Sequence, residues 1–165
     1  MQTFTSKGTS INRDKLPRAY RFPFPSGSTV IDYGCGRFVD HLKRSASERG
    51  LLWLGFDPFN RTPGQNSAAI DAMKNRAADY VICSNVLNVI DSDSVVDDVI
   101  KTVSDAARVA AVFTVYEGNG SGIGKQTGPD AYQRNEKRSA YVDRIAAAGY
   151  NVTRKGEYII VSGRG

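Results

Sequence analysis

The strongest constraint on the fold is the run Thr29 to Tyr33 (TVIDY), which ends in Gly34-Cys35-Gly36. A short β-branched run bounded by glycine is the pattern of a strand buried on both faces that leads into a tight turn. Two glycines one residue apart let the backbone turn sharply and come close to a ligand. A helix should follow, because Phe38, Leu42 and Ala46 recur at helical spacing from Arg37 towards Gly50, where glycine stops it. Leu51 to Phe56 (LLWLGF) is continuously apolar and short, hence a second buried strand, and it ends at Asp57-Pro58.

The same alternation continues. A short helix is expected from about Asn66 to Asn75, a buried strand at Tyr80 to Cys83, and a polar-apolar turn over Ser84 to Ile90 (SNVLNVI). From Asp91, the residues Val95, Val96, Val99, Ile100, Val103, Ala106 and Ala107 form one helical stripe, with Asp91 or Ser92 able to cap its start. Ala110 to Tyr116 reads as a strand, and the glycine-rich stretch Glu117 to Pro129 as a long mobile loop. Asp130 is expected to cap a helix that runs to Ala148, with Tyr141, Ile145 and Ala148 on its inner side. Tyr150 to Arg154 and Glu157 to Val161, separated by Lys155-Gly156, form a hairpin. Strands alternating with helices specify an α/β fold: an open, mostly parallel, Rossmann-like sheet with helices on both faces and a C-terminal antiparallel hairpin.

Ligands of such sheets bind beyond the carboxyl ends of the strands. Asp57, at the end of the second strand, stands where an acid reaches the hydroxyls of a ribose. A dinucleotide fingerprint would need glycine three residues after Gly36, where this chain has Val39, so pyrophosphate binding is disfavoured. Asp32 beside the turn would repel phosphate and suit a cationic ligand.

These residues resemble the class I S-adenosylmethionine-dependent methyltransferases. Asp32, Gly34, Cys35 and Gly36 match that family's first motif, an acid followed by x-Gly-x-Gly, and Asp57 matches the acid that ends its second strand. The resemblance implies that S-adenosylmethionine is the cofactor, with the turn facing its methionine part and Asp57 at its ribose; Pro58 is assigned to the cofactor too. Ser84, Asn85, Val86 and Asn88 occupy the place of the fourth motif and are assigned to the cofactor as well. That motif carries no Pro-Pro here, which disfavours amino-directed methylation of DNA, and SNVLNVI looks more like small bacterial and phage relatives. Only about twenty residues separate Asp57 from the strand at Tyr80, so the family's third strand is expected to be missing.

Lys125, Gln126, Thr127, Asp130, Tyr132, Gln133 and Arg134 concentrate polar groups after the last parallel strand, suited to binding substrate or closing the site, and of these Lys125, Gln126, Tyr132 and Arg134 are the candidates for binding the acceptor. Tyr116, Glu117 and Asp130 are further acceptor-side groups, and no residue stands out as catalytic. The formal net charge of +5 has basic flanks, one around Lys7, Lys15 and Arg18 and the other around Lys125, Arg134, Lys137 and Arg138. Were these to converge on the cofactor mouth, a nucleic-acid acceptor would become plausible. Cys35 and Cys83 have no metal-ligand spacing with each other or with His41, so no metal is expected. Without an apolar run long enough to cross a membrane, a cytoplasmic location is expected. Residues 1–28 are read as an N-terminal segment, either lid or tail, and 29–165 as a single methyltransferase-like domain. Two other functions remain open: cleavage of S-adenosylmethionine, and a non-catalytic cofactor-binding or nucleic-acid-binding module on the same fold.

Overall fold

A computed structural model describes residues 1–9 and 13–163; residues 10–12 of the N-terminal segment and 164–165 at the end of the domain lie outside the described residues. Its elements in chain order are β1 (Thr29–Tyr33), α1 (Asp40–Glu48), β2 (Leu52–Phe56), α2 (Pro63–Lys74), β3 (Ala78–Ser84), α3 (Asp93–Ala106) and β4 (Ala107–Thr114). There follow β5 (Lys125–Gly128), β6 (Ala131–Gln133), α4 (Arg138–Ala147), β7 (Val152–Lys155) and β8 (Tyr158–Ser162). Short 3-10 helices occupy Arg18–Arg21 and Leu87–Val89.

Six strands form the central sheet in the order β2-β1-β3-β4-β8-β7. β1 to β4 are mutually parallel, while β8 runs antiparallel to β4 and β7 antiparallel to β8. The sheet is the Rossmann-like arrangement anticipated above, and β2 is its edge, with no strand beyond it among the described residues. The chain goes out to β2 and then crosses back past β1 to β3. The strand order therefore reverses beside β1, which places a crevice at the carboxyl end of that strand.

Alternate residues of each parallel strand feed opposite layers. Ile31, Val81, Cys83, Ala111 and Phe113 pack beneath α2, α3 and α4, which contribute Ala69, Val96, Ile100, Tyr141 and Ile145. Val30, Ile82 and Val112 face the other way, onto Leu42 of α1 and onto Ala19, Tyr20 and Phe24 of the N-terminal segment. Part of that segment is thus a structural layer. Phe24 packs its ring against Phe22 at 4.9 Å and Tyr80 at 5.1 Å, and Arg49 donates to the carbonyls of Tyr20 and Phe22.

Element ends follow local chemistry. α2 starts three residues earlier than the apolar spacing suggests, because Thr62 and Gln65 form a reciprocal capping box with Pro63 at the first turn. The expected helix from Asp130 to Ala148 is corrected to α4, Arg138–Ala147. Residues 125–133, read from sequence as mobile loop and helix start, instead form the hairpin β5–β6. Asp130 caps no helix; its carboxylate accepts from the Thr5 N–H at 2.7 Å and from the Thr5 hydroxyl. Glu117 takes over at α4, accepting from the Arg138 N–H at 2.8 Å. No helix among the described residues is long and apolar enough to cross a membrane.

Phe24→Ala tests whether residues 18–24 belong to the core. We expect a loss of about 3 kcal/mol in urea unfolding with a single transition retained. A change below about 0.5 kcal/mol would mean that the segment is a detachable tail.

Candidate functional site

Gly34 and Gly36 both adopt left-handed backbone conformations, with φ of +83° and +73°. That conformation is why the turn after β1 carries glycine at both positions. The turn is fastened to the end of β2: Gly34 N–H and Cys35 N–H donate to Phe56 O at 2.7 and 3.1 Å, and Gly36 N–H donates to Asp57 Oδ2 at 2.9 Å. On its far side the Val86 side chain lies where a Cβ on Gly34 would point.

Asp57 is buried and heavily used. Its Oδ1 accepts from the N–H groups of Phe59 and Asn60, at 2.9 and 2.8 Å, and from Asn60 Nδ2 at 3.2 Å. Its backbone is clasped by Asn66 of α2, whose Oδ1 accepts from Asp57 N–H at 3.1 Å while its Nδ2 donates to Asp57 O at 2.9 Å. Asn66 escaped the sequence analysis. The signal was available, since a buried asparagine in the first turn after a polar loop must find partners nearby.

Asp32 is equally buried and sparsely partnered. The Tyr20 hydroxyl donates to its Oδ2 at 2.6 Å, and Trp53 Nε1–H donates to the Tyr20 oxygen at 2.7 Å. Burial pushes the Asp32 carboxyl up to about 7; the Tyr20 hydrogen bond opposes the rise and the charge of Asp57 adds to it. Burial also pushes the Cys35 thiol up, which keeps it protonated and argues against a nucleophilic role.

Beyond β3, Asn85 takes a left-handed conformation (φ +56°) and its N–H donates to Thr114 O at 2.8 Å, while the Ser84 and Thr114 hydroxyls share a 2.8 Å hydrogen bond. The turns after β1, β2 and β3 thereby meet around a cavity of about 670 Å³. All residues assigned from sequence to the cofactor line it: Asp32, Gly34, Cys35, Gly36, Asp57, Pro58, Ser84, Asn85, Val86 and Asn88.

The acceptor candidates divide. Tyr132 lines the cavity, whereas Lys125, Gln126 and Arg134 do not. Arg134 is buried as a structural cation: it pairs with Asp93 and, at 2.8 Å, with Glu136, and it donates to Ile90 O at 3.0 Å. Gln133, its neighbour, lines the cavity instead. The basic flanks do not converge there, because Lys7 is the only member of them on the cavity wall. Arg18 pairs with Glu157 at 2.7 Å and Arg138 with Glu117 at 3.3 Å.

A roof covers one side of the cavity. Residues 2–9 contribute Gln2, Thr5, Ser6, Lys7 and Thr9 to the wall. They are tied to the hairpin by Ser6 N–H on Asp130 O at 2.8 Å and by stacking of Phe4 on Tyr132 at 5.8 Å. Thr3 N–H reaches the Asp91 carboxylate at 3.0 Å. Among the described residues no group of three His, Cys, Asp or Glu side chains is placed to hold a metal.

A parallel sheet with this strand order, a reversed last hairpin and a glycine turn at its switch point is the fold of the class I S-adenosylmethionine-dependent methyltransferases. Among solved structures, it is similar to Burkholderia thailandensis 1,6-didemethyltoxoflavin-N1-methyltransferase, crystallised with 1,6-didemethyltoxoflavin and S-adenosylhomocysteine. The TM-score is 0.68 at 12% identity, over 97% of this chain and 85% of that one. No protein-family model and no curated protein matches the sequence.

The Asp32 environment has a measurable consequence. With a carboxyl at about 7 in the folded protein and 3.8 as its ordinary value, the folded state holds more protons than the unfolded one between those limits. Stability through this group therefore falls as pH rises from about 4 to about 7 and is level above that. Asp32→Asn removes the effect. Urea unfolding should show the variant gaining on the natural protein across that window, by up to roughly 4 kcal/mol; a constant difference between pH 5 and pH 8 would refute the assignment.

Proposed function

We propose that the protein is an S-adenosylmethionine-dependent methyltransferase. The observation that carries this reading is the cavity at the carboxyl ends of β1 to β3, with the glycine turn pinned to Asp57 on one wall and the motif around Asn85 on the other. The residues present fit the cofactor. Among the described residues the buried Asp32 carboxylate has a single hydrogen-bond donor, an environment that favours a cation beside it. Asp57 Oδ1 is filled by three donors, whereas Oδ2 accepts only from Gly36 N–H among the described residues and keeps a lone pair, which suits one hydroxyl of a ribose.

In this reading the Gly34 to Gly36 turn bears the methionine part and Asp57 the ribose. Pro58, Asn85 and Val86 flank the adenosine, and Ser84 and Asn88 bound the reacting end. Bound S-adenosylmethionine supplies a methyl group already activated on a sulfonium. The chain is left with alignment of the acceptor and exclusion of water, functions suited to the roof of residues 2–9 and 125–133. The Burkholderia neighbour, an N1-methyltransferase whose structure holds 1,6-didemethyltoxoflavin, is a precedent on this fold.

Calorimetry with S-adenosylhomocysteine should give one site per chain, and Asp57→Ala should weaken it by about 1.5 to 3 kcal/mol. Since Asp57 also organises the loop after β2, the variant should lose thermal stability as well. Absence of binding by the natural protein would end the methyltransferase reading. Formation of methylthioadenosine from S-adenosylmethionine alone would replace it with cleavage.

A further inference from the structure

Two buried carboxamides meet where the turn after β3 reaches the roof hairpin. Asn88 is 2% exposed and Gln133 9%, and both line the cavity. Asn88 Nδ2 donates to Gln133 Oε1 at 3.2 Å, Gln133 Nε2 donates to Tyr116 O at 3.1 Å, and Tyr116 N–H donates to Asn88 Oδ1 at 3.4 Å. This closed ring fixes which end of each side chain is oxygen and which is nitrogen. Arg134 N–H, donating to Asn88 O at 2.8 Å, holds the two elements together from behind.

A carboxamide has two N–H donors and two acceptor lone pairs. The ring uses one donor and one lone pair of each, so among the described residues Asn88 and Gln133 both retain one of each kind. Unused valences on buried amides are costly, and a ligand that matches them recovers that cost. The surrounding wall is mostly neutral. Thr5, Ser6 and Thr127 supply hydroxyls, and Tyr132 supplies a ring already stacked on Phe4 with an interplanar angle of 8°. Lys7, Asp32 and Asp57 are the charged residues in the described lining, and Asp32 and Asp57 already accept hydrogen bonds from within the protein.

We propose that Asn88 and Gln133 form the acceptor subsite, and that they select a planar, uncharged heterocycle with a hydrogen-bond donor and acceptor side by side on one edge, as in a lactam or a nucleobase. The inference rests on the methyltransferase reading. The nucleophile is a ring nitrogen with a free lone pair. Its electrons form the N–CH3 bond while the S–CH3 pair returns to sulfur, and a ring N–H proton, where present, passes to water. A free heterocycle and an unstacked base of single-stranded nucleic acid share this chemistry.

The test titrates uridine, cytidine, adenosine, guanosine and a mixed-sequence single-stranded oligonucleotide into protein saturated with S-adenosylhomocysteine. We expect at least one nucleoside to bind at millimolar concentration or below. Gln133→Glu exchanges a donor for a charged acceptor, so it should weaken the preferred nucleoside by about tenfold or more and change the order of preference. A merely structural glutamine would not reorder the nucleosides. Should that variant fail to fold, Asn88→Asp provides the same comparison. An oligonucleotide that binds no better than its nucleosides identifies a free heterocycle, and a tighter, salt-sensitive one identifies nucleic acid. Binding of S-adenosylhomocysteine without any nucleoside or oligonucleotide, or an unchanged order in the variants, overturns the subsite. Failure of S-adenosylhomocysteine itself to bind falls on the methyltransferase reading.

Discussion

The site depends on the hydrogen bond from Gly36 N–H to Asp57. β1 and β2 stay in register up to the pair Tyr33 and Phe56, and beyond it parallel strand ends have no partners to continue the ladder. The bonds of Gly34 and Cys35 to Phe56 O and of Gly36 to Asp57 extend the ladder into the turn. A buried carboxylate is costly unless it is well solvated by donors, and Asp57 collects four N–H donors from Gly36, Phe59 and Asn60. Because the same oxygens shape both loops, the acid is a structural organiser before any ligand arrives.

Asp32 shows the opposite design within the same cavity. It has one phenolic donor, and that donor belongs to the N-terminal segment, so residues far apart in sequence determine its proton affinity. The relay from Trp53 on β2 through Tyr20 to Asp32 on β1 crosses the layer built by residues 18–24. Closer to its start, the N-terminal segment joins the roof hairpin through Thr5, Ser6 and Phe4. One stretch of chain thus supports both the floor of the cavity, beneath the glycine turn, and its cover.

The parallel strands were legible because strands buried on both faces leave continuous apolar runs such as Thr29 to Tyr33 and Tyr80 to Cys83, and no other element reads that way at such length. Gly34, Gly36 and Asp57 were legible because the chemistry at a strand end is local. The stretch from Glu117 to Lys137 was not. Its polar side chains find partners distant in sequence: Asp130 at Thr5, Gln133 at Asn88, Arg134 at Ile90 and Asp93. Those bonds turned a predicted helix start into a hairpin, and they buried Arg134, which as an isolated charge reads as surface. The inner face of the same helix held at Tyr141 and Ile145, where apolar spacing decides the packing, and failed at Ala148, which caps α4 and is exposed.

The shortened sheet has its own requirement. With only α2 between β2 and β3, β2 is left as an exposed edge, where unpaired backbone groups invite association with other strands. Lys43 and Arg61 lie over the Trp53 ring at 5.8 and 5.9 Å, so positive charge stands beside the strand while its indole N–H is committed to Tyr20. The loop of Pro58, Phe59 and Asn60 is then shaped by Asp57 and by the Asn66 clasp rather than by a neighbouring strand. The loss of one strand is therefore compatible with an intact cavity: the groups that shape the β2 end lie on the loop and helix directly after it.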